Sequence, residues 1–164
     1  QLTSEDYEIP VSTIFGELIS NVFEHSKITL PGFAGLQKYA GRRKHIQAVV
    51  SDSGAGIAKT LRPALREHYP SLYKIYGQRS LQSDIGLVKE AIKQGRISRY
   101  GGARGLGFEI NRVHAVKFNA RISVRQETFC LDFIYEEGEL LEIREQTGLS
   151  KLLGTHICFD FYLD

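Results

Sequence analysis

Helices early and strands late in this 164-residue chain predict an α+β fold, a two-layer sandwich with helices on one face of a sheet whose other face is largely solvated. An amphipathic run at residues 11–26 supplies the early helix. Strand-like alternation in three runs after residue 119 supplies most of the sheet. With 42% hydrophobic residues, the chain is long enough for one core and one domain, spanning residues 1–164.

In chain order, Val-Ser-Thr-Ile-Phe-Gly-Glu-Leu-Ile-Ser-Asn-Val-Phe-Glu-His-Ser follows Pro10, with Ser12 or Thr13 as the cap. At about 100° per residue, Ile14, Phe15, Leu18, Ile19, Val22 and Phe23 cover half of its circumference. Glu17 and Asn21 fall at the margin of that arc, and His25 falls inside it. From Pro31 to Lys44 glycine and basic residues predict a loop. His45 to Asp52 then reads as a strand that delivers Asp52 into the cluster Asp52-Ser53-Gly54-Ala55-Gly56-Ile57. Residues 58–100 read as a long, mostly polar insertion with a helix from Ser83 to Lys93 ended by Gly95. Insertions of that length are commonly lids. A second glycine cluster, Gly101-Gly102-Ala103-Arg104-Gly105-Leu106-Gly107-Phe108, precedes a predicted helix over 108–113. The later strands are expected at 120–125, 129–135 and 156–163, with a hairpin turn at Glu136-Glu137-Gly138-Glu139.

Composition narrows the function classes. A formal charge of +2, from 21 basic and 19 acidic side chains, creates no whole-chain field for nucleic acid or an anionic membrane. No apolar run approaches the roughly 20 residues that cross a bilayer, and Gln1-Leu2-Thr3-Ser4-Glu5-Asp6 is no signal peptide, so a soluble, cytoplasmic protein is expected. Cys130 and Cys158 lack metal-ligand spacing and sit in apolar, β-like runs, which predicts buried free thiols. A chain without methionine, even at its start, is expected to be a fragment of a longer protein.

The residues that carry chemistry lie in and around the glycine clusters. A carboxylate at a strand end, such as Asp52, accepts the exocyclic amino group of adenine and rejects guanine's carbonyl. Gly54 and Gly56 permit the close approach that a β-carbon blocks. Alone, the same hexapeptide describes an acidic β-turn. The second cluster stands before a helix, where backbone amides suit phosphate oxygens. It is neither a P-loop nor a dinucleotide fingerprint, because no Gly-Lys-Ser/Thr follows and no βαβ unit surrounds it. Arg99 and Arg104 flank glycines of this cluster as phosphate partners or as solvated surface cations. Glu17 and Asn21 lie one helical turn apart. An amide oxygen suits Mg²⁺ and a carboxylate suits proton abstraction from water, although the two also make an ordinary polar pair.

In this order, Glu-x-x-x-Asn on the first helix, Asp-x-Gly-x-Gly-Ile after a strand, Gly-Leu-Gly before a second helix and Gly154-Thr155 late in the chain resemble the GHKL ATPase superfamily, over about residues 10–163. The run Glu-Leu-Ile-Ser-Asn-Val-Phe-Glu-His-Ser and the approach Ser98-Arg99-Tyr100-Gly101-Gly102 look most like bacterial histidine-kinase ATP-binding domains. The resemblance implies a Bergerat-type sandwich with a mixed, mostly antiparallel sheet and an ATP lid over about residues 58–104. It implies ATP and Mg²⁺ as cofactors, with Asn21 on the metal, Asp52 on adenine, Gly54 and Gly56 shaping the base pocket, and Thr155 closing it. Gly105 and Gly107 would meet the phosphates, with Ile57, Gly102, Arg104 and Leu106 also among the nucleotide-binding residues. Glu17 matches the general base of the hydrolysing members.

Two departures bear on the reaction. Glu24 stands where many histidine kinases carry a cation three residues after the asparagine, and Arg104 is inserted into the second glycine motif, where it is a candidate replacement. No dimerising hairpin with a phosphoacceptor histidine precedes residue 10, and His25 lies on the ATP-side helix. The leading expectation is a protein kinase domain whose acceptor lies on a protein partner or elsewhere in a longer chain. The alternatives are an ATP hydrolase using Glu17 and an anti-sigma-like module whose output is partner capture.

Overall fold

The computed structural model describes residues 11–13, 15, 16, 19, 20, 32–94, 97 and 119–163. Its elements are β1 (Phe33–Tyr39), β2 (His45–Ser51), α1 (Ile57–His68), α2 (Pro70–Tyr76), α3 (Leu81–Gln94), β3 (Ala120–Glu127), β4 (Phe129–Glu136), β5 (Glu139–Gln146) and β6 (Leu152–Tyr162). Six strands form one sheet in the order β1-β2-β6-β3-β4-β5. The fold is therefore α+β. Every pairing among these strands is antiparallel, which corrects the expected mixed sheet.

Alternation decides which face of the sheet is covered. Along β3 the residues Ala120, Ile122, Val124 and Gln126 are buried while their neighbours are half-exposed. Their face joins Phe133, Tyr135, Phe159 and Phe161 to Leu61 and Leu65 of α1 and to Leu87, Val88 and Ile92 of α3 in one core. The described residues at 11–13, 15, 16, 19 and 20 are helical, as expected. Val11 is buried, and Phe15 and Ile19 pack against the core.

The opposite face is polar and half-covered. Ser123 Oγ donates to Asp132 Oδ1 at 2.6 Å, Arg121 bonds Asp132 Oδ2 at 2.7 Å, and Gln47 Nε2 donates to Asp160 Oδ1 at 2.8 Å. Cys130 and Cys158 share this face as half-buried free thiols. Burial, then the Asp160 carboxylate, pushes the Cys158 thiol up to about 12.

Three segments depart from expectation. Phe33–Tyr39 is an edge strand rather than a loop, almost wholly exposed, so no buried alternation marks it. Glu139–Gln146 forms the other edge strand. Its charges protect that edge and hide its strand character. Residues 58–94, expected as the polar first part of a lid, are three helices. Ile57, Ala58, Leu61, Ala64 and Leu65 form the buried stripe of α1, and the helix expected from Ser83 to Lys93 is α3. α1 and α3 add residues to the core, while α2 buries none.

Arg62 holds the three helices together. Its Nε donates to the Tyr76 carbonyl at 3.0 Å and its guanidinium reaches Ser83 Oγ at 3.1 Å and Asp84 Oδ1 at 2.5 Å. Gly86 lets Tyr76 lie against α3, since a β-carbon there would sit 2.4 Å from the Tyr76 ring.

Candidate functional site

The end of β2, the start of α1, the end of β3 and the first half of β6 converge at one end of the sheet. Ser51 pairs with His156, and Gln126 pairs with Thr155, so Asp52, Thr155 and Gln126 become neighbours across three strands. Asp52 continues the ladder by one residue, its N–H donating to the Thr155 carbonyl at 2.9 Å. Its Oδ1 accepts the Gly54 N–H at 2.6 Å and the Thr155 N–H at 3.3 Å. The first is an Asx-type turn that fixes the carboxylate against its own loop. Among the described residues no hydrogen bond falls on Oδ2 of this half-exposed carboxylate.

Two glycines make this geometry attainable. Gly154 has φ +91°, and a β-carbon on it would lie 1.8 Å from the Asp52 carbonyl oxygen. The backbones of β6 and the Asp52 turn are thus in direct contact, a packing that no side chain permits. Gly56 has φ +86°, and its missing β-carbon would meet Gln126 Oε1 at 3.1 Å.

Gln126 is the residue that sequence reasoning missed. It is 3% exposed. Its Oε1 accepts the Ile57 N–H at 2.8 Å, and its Nε2 donates to Thr155 Oγ1 at 2.8 Å and the Gly154 carbonyl at 3.4 Å. A helix begins with N–H groups that have no partner in the helix, and Gly56 has no side chain to cap one. Gln126 caps α1 from another strand and ties it to β6. Its signal was in the sequence: a lone amide at the buried register of Ala120, Ile122 and Val124 needs partners. Beside it, Lys59 lies 2.5 Å from Glu127, the left-handed residue of the β3–β4 turn (φ 34°), and that hydrogen bond holds the Glu127 carboxyl below its ordinary range.

Of the predicted site residues, the structure brings Asp52, Gly54, Gly56, Ile57 and Thr155 together. Ile57 contributes its backbone N–H and a buried side chain to this cluster. Glu17, Asn21, Gly102, Arg104, Gly105, Leu106 and Gly107, which carry the expected general-base, metal and nucleotide-binding roles, lie outside the described residues.

No helix among the described residues is long and apolar enough to cross a membrane. No protein-family model matches the sequence, and no curated protein matches it. Among solved structures the chain is similar to the N-terminal domain of a DNA repair protein, at 15% identity and a TM-score of 0.34, with 97% of this chain and 41% of that one covered. The chain spans less than half the length of that structure, and a likeness this loose bears on neither fold nor function.

Proposed function

We propose that this chain is a Mg²⁺-ATP-binding domain of a histidine-kinase-like signalling protein, positioning the γ-phosphoryl for transfer to a protein acceptor supplied by a partner or by another part of a longer chain. The observation that carries the reading is the Asp52 carboxylate, anchored through Oδ1 to Gly54 and Thr155, with no hydrogen bond on Oδ2 among the described residues. The adenine amino group is a donor suited to a carboxylate. Gly54 and Gly56 add no side chain around the turn, which suits the close approach of a flat base. The donor set therefore fits adenine. By resemblance to the superfamily, Asn21 would hold Mg²⁺, and Gly102, Arg104, Gly105, Leu106 and Gly107 would meet the phosphates. Bound Mg²⁺ would neutralise charge on the phosphates, and the protein's part in phosphoryl transfer is mainly positioning.

Calorimetric titration with ATP, ADP and GTP in the presence of Mg²⁺ tests the base assignment. ATP and ADP should bind and GTP should not. Asp52→Asn keeps an oxygen for Gly54 and Thr155 but turns an amide donor toward the adenine donor, so ATP affinity should fall by about 10- to 100-fold. Unchanged affinity would remove Asp52 from the adenine role. Label from γ-labelled ATP should then appear on an added acceptor protein, whereas self-labelling of this chain alone would overturn the need for a separate acceptor.

A further inference from the structure

Away from the sheet end, α1, α2 and the segment after α2 enclose an open groove of about 370 Å³ lined by Lys59, Arg62, Pro63, Arg66, Tyr73 and Arg79. Four of its six lining residues are cations. Arg62 is committed to Asp84, and Lys59 pairs with Glu127, which Arg79 approaches only to 3.8 Å. Arg66 has no ion pair among the described residues. Two carboxylates against four cations leave the groove with a surplus of two positive charges, on the exposed Arg66 and Arg79.

The shape of this surplus identifies the ligand class. Lys59, Arg62 and Arg66 are spaced i, i+3, i+7 and form a stripe about 10 Å long on one face of α1. Tyr73, 41% exposed, and Pro63 supply an apolar wall. A small metabolite is held by enclosure, burying most of its surface, and this groove is open to solvent. An extended peptide needs no enclosure. With side chains recurring on one side about every 7 Å, it can reach cations on two separate elements at once, here Arg66 on α1 and Arg79 after α2.

We propose that the groove docks an acidic peptide segment of a protein partner, its carboxylates on Arg66 and Arg79 and an apolar or aromatic side chain against Tyr73 and Pro63. This assignment is independent of the nucleotide reading.

Fluorescence anisotropy with a fluorescein-labelled Glu-Asp-Glu-Phe-Glu-Asp peptide tests it on the full chain. Wild type should bind in a salt-sensitive manner, and the Arg66→Glu/Arg79→Glu double variant should lose about tenfold or more in affinity. Lys38→Glu/Arg42→Glu, with the same change in charge on the β1 side, should stay within about twofold. Equal loss in both double variants would reduce the groove to non-specific attraction and overturn the proposal. Arg66→Gln/Arg79→Gln keeps the side-chain bulk and should also lose binding, with its melting temperature checking the fold. Absence of peptide binding by wild type overturns the proposal. So does displacement of the peptide by inorganic tripolyphosphate well below the peptide's own dissociation constant, or preferential capture on phosphatidylserine vesicles. ATP titration on the same samples separates this outcome from failure of the nucleotide site.

Discussion

Gln126 and Arg62 each join three separate stretches of chain, yet Gln126 is neutral and almost wholly buried while Arg62 is charged and keeps 13% of its side chain in contact with solvent. The amide meets only neutral groups, an N–H, a hydroxyl and a carbonyl, and leaves neither of its ends without a partner. The guanidinium needs a carboxylate, and finds Asp84 near water where desolvation costs less. The difference teaches where each device can be used. At the sheet end, a neutral crosslink fixes the frame without adding charge beside Asp52. Between helices, a charged fork reaches three partners at once.

Gly154→Ala is the harshest test of the rigid sheet end. A β-carbon 1.8 Å from a carbonyl oxygen, at φ +91°, has no side-chain adjustment to relieve it. A loss of more than about 4 kcal/mol, or failure to fold, is expected in denaturant titration. A wild-type midpoint would show that the Asp52 turn yields easily. Arg62→Ala comes next, at about 2–4 kcal/mol, because Asp84 is left without its cation. ATP affinity should survive that change, and Arg62→Lys should restore little because an ammonium lacks the fork.

Gln126→Ala should cost about 1–3 kcal/mol, and it should also weaken ATP binding by about tenfold through the displaced Thr155 and the uncapped α1. Stability loss without loss of affinity would make the two crosslinks equivalent and end the distinction between them. The smallest effect belongs to Glu127. Its folded pKa lies below the ordinary 4.5, so the stability it contributes is present above that value and disappears as pH falls through the folded one. Acid titration of wild type should show a loss of under about 1 kcal/mol as pH falls below 4.5, flattened in Glu127→Gln.

Sequence periodicity revealed the parts of the fold that are buried on one side. Ala120 to Arg125 alternates cleanly because helices cover one face of β3, and Asp52 was placed at a strand end because Ala48 and Val50 point into the core. Phe33–Tyr39 and Glu139–Gln146 carried no such pattern, since edge strands are specified by a partner's backbone more than by their own side chains. α1 was hidden by its charged outer face and α2 by its lack of a buried stripe, whereas α3 was expected over Ser83 to Lys93. At the candidate site, the grouping of Asp52, Gly54 and Gly56 follows from their nearness in sequence, and the nearness of Thr155 to Asp52 was expected only through the family resemblance. Gln126 was not recognised because its importance lies in contacts with residues 57, 154 and 155, distant in sequence.

The strand order carries a consequence for how this protein is made. β6, the last strand in sequence, lies between β2 and β3, neither of which pairs with the other. A ribosome must therefore release residues 152–162 before the two halves of the sheet can join. Until then β2 and β3 each present an open edge, and the nascent chain is a substrate for chaperones or for wrong pairing. Pairings over such sequence distances also close slowly. Refolding rate should therefore depend more on changes that weaken β6 than on equal losses of stability in α2.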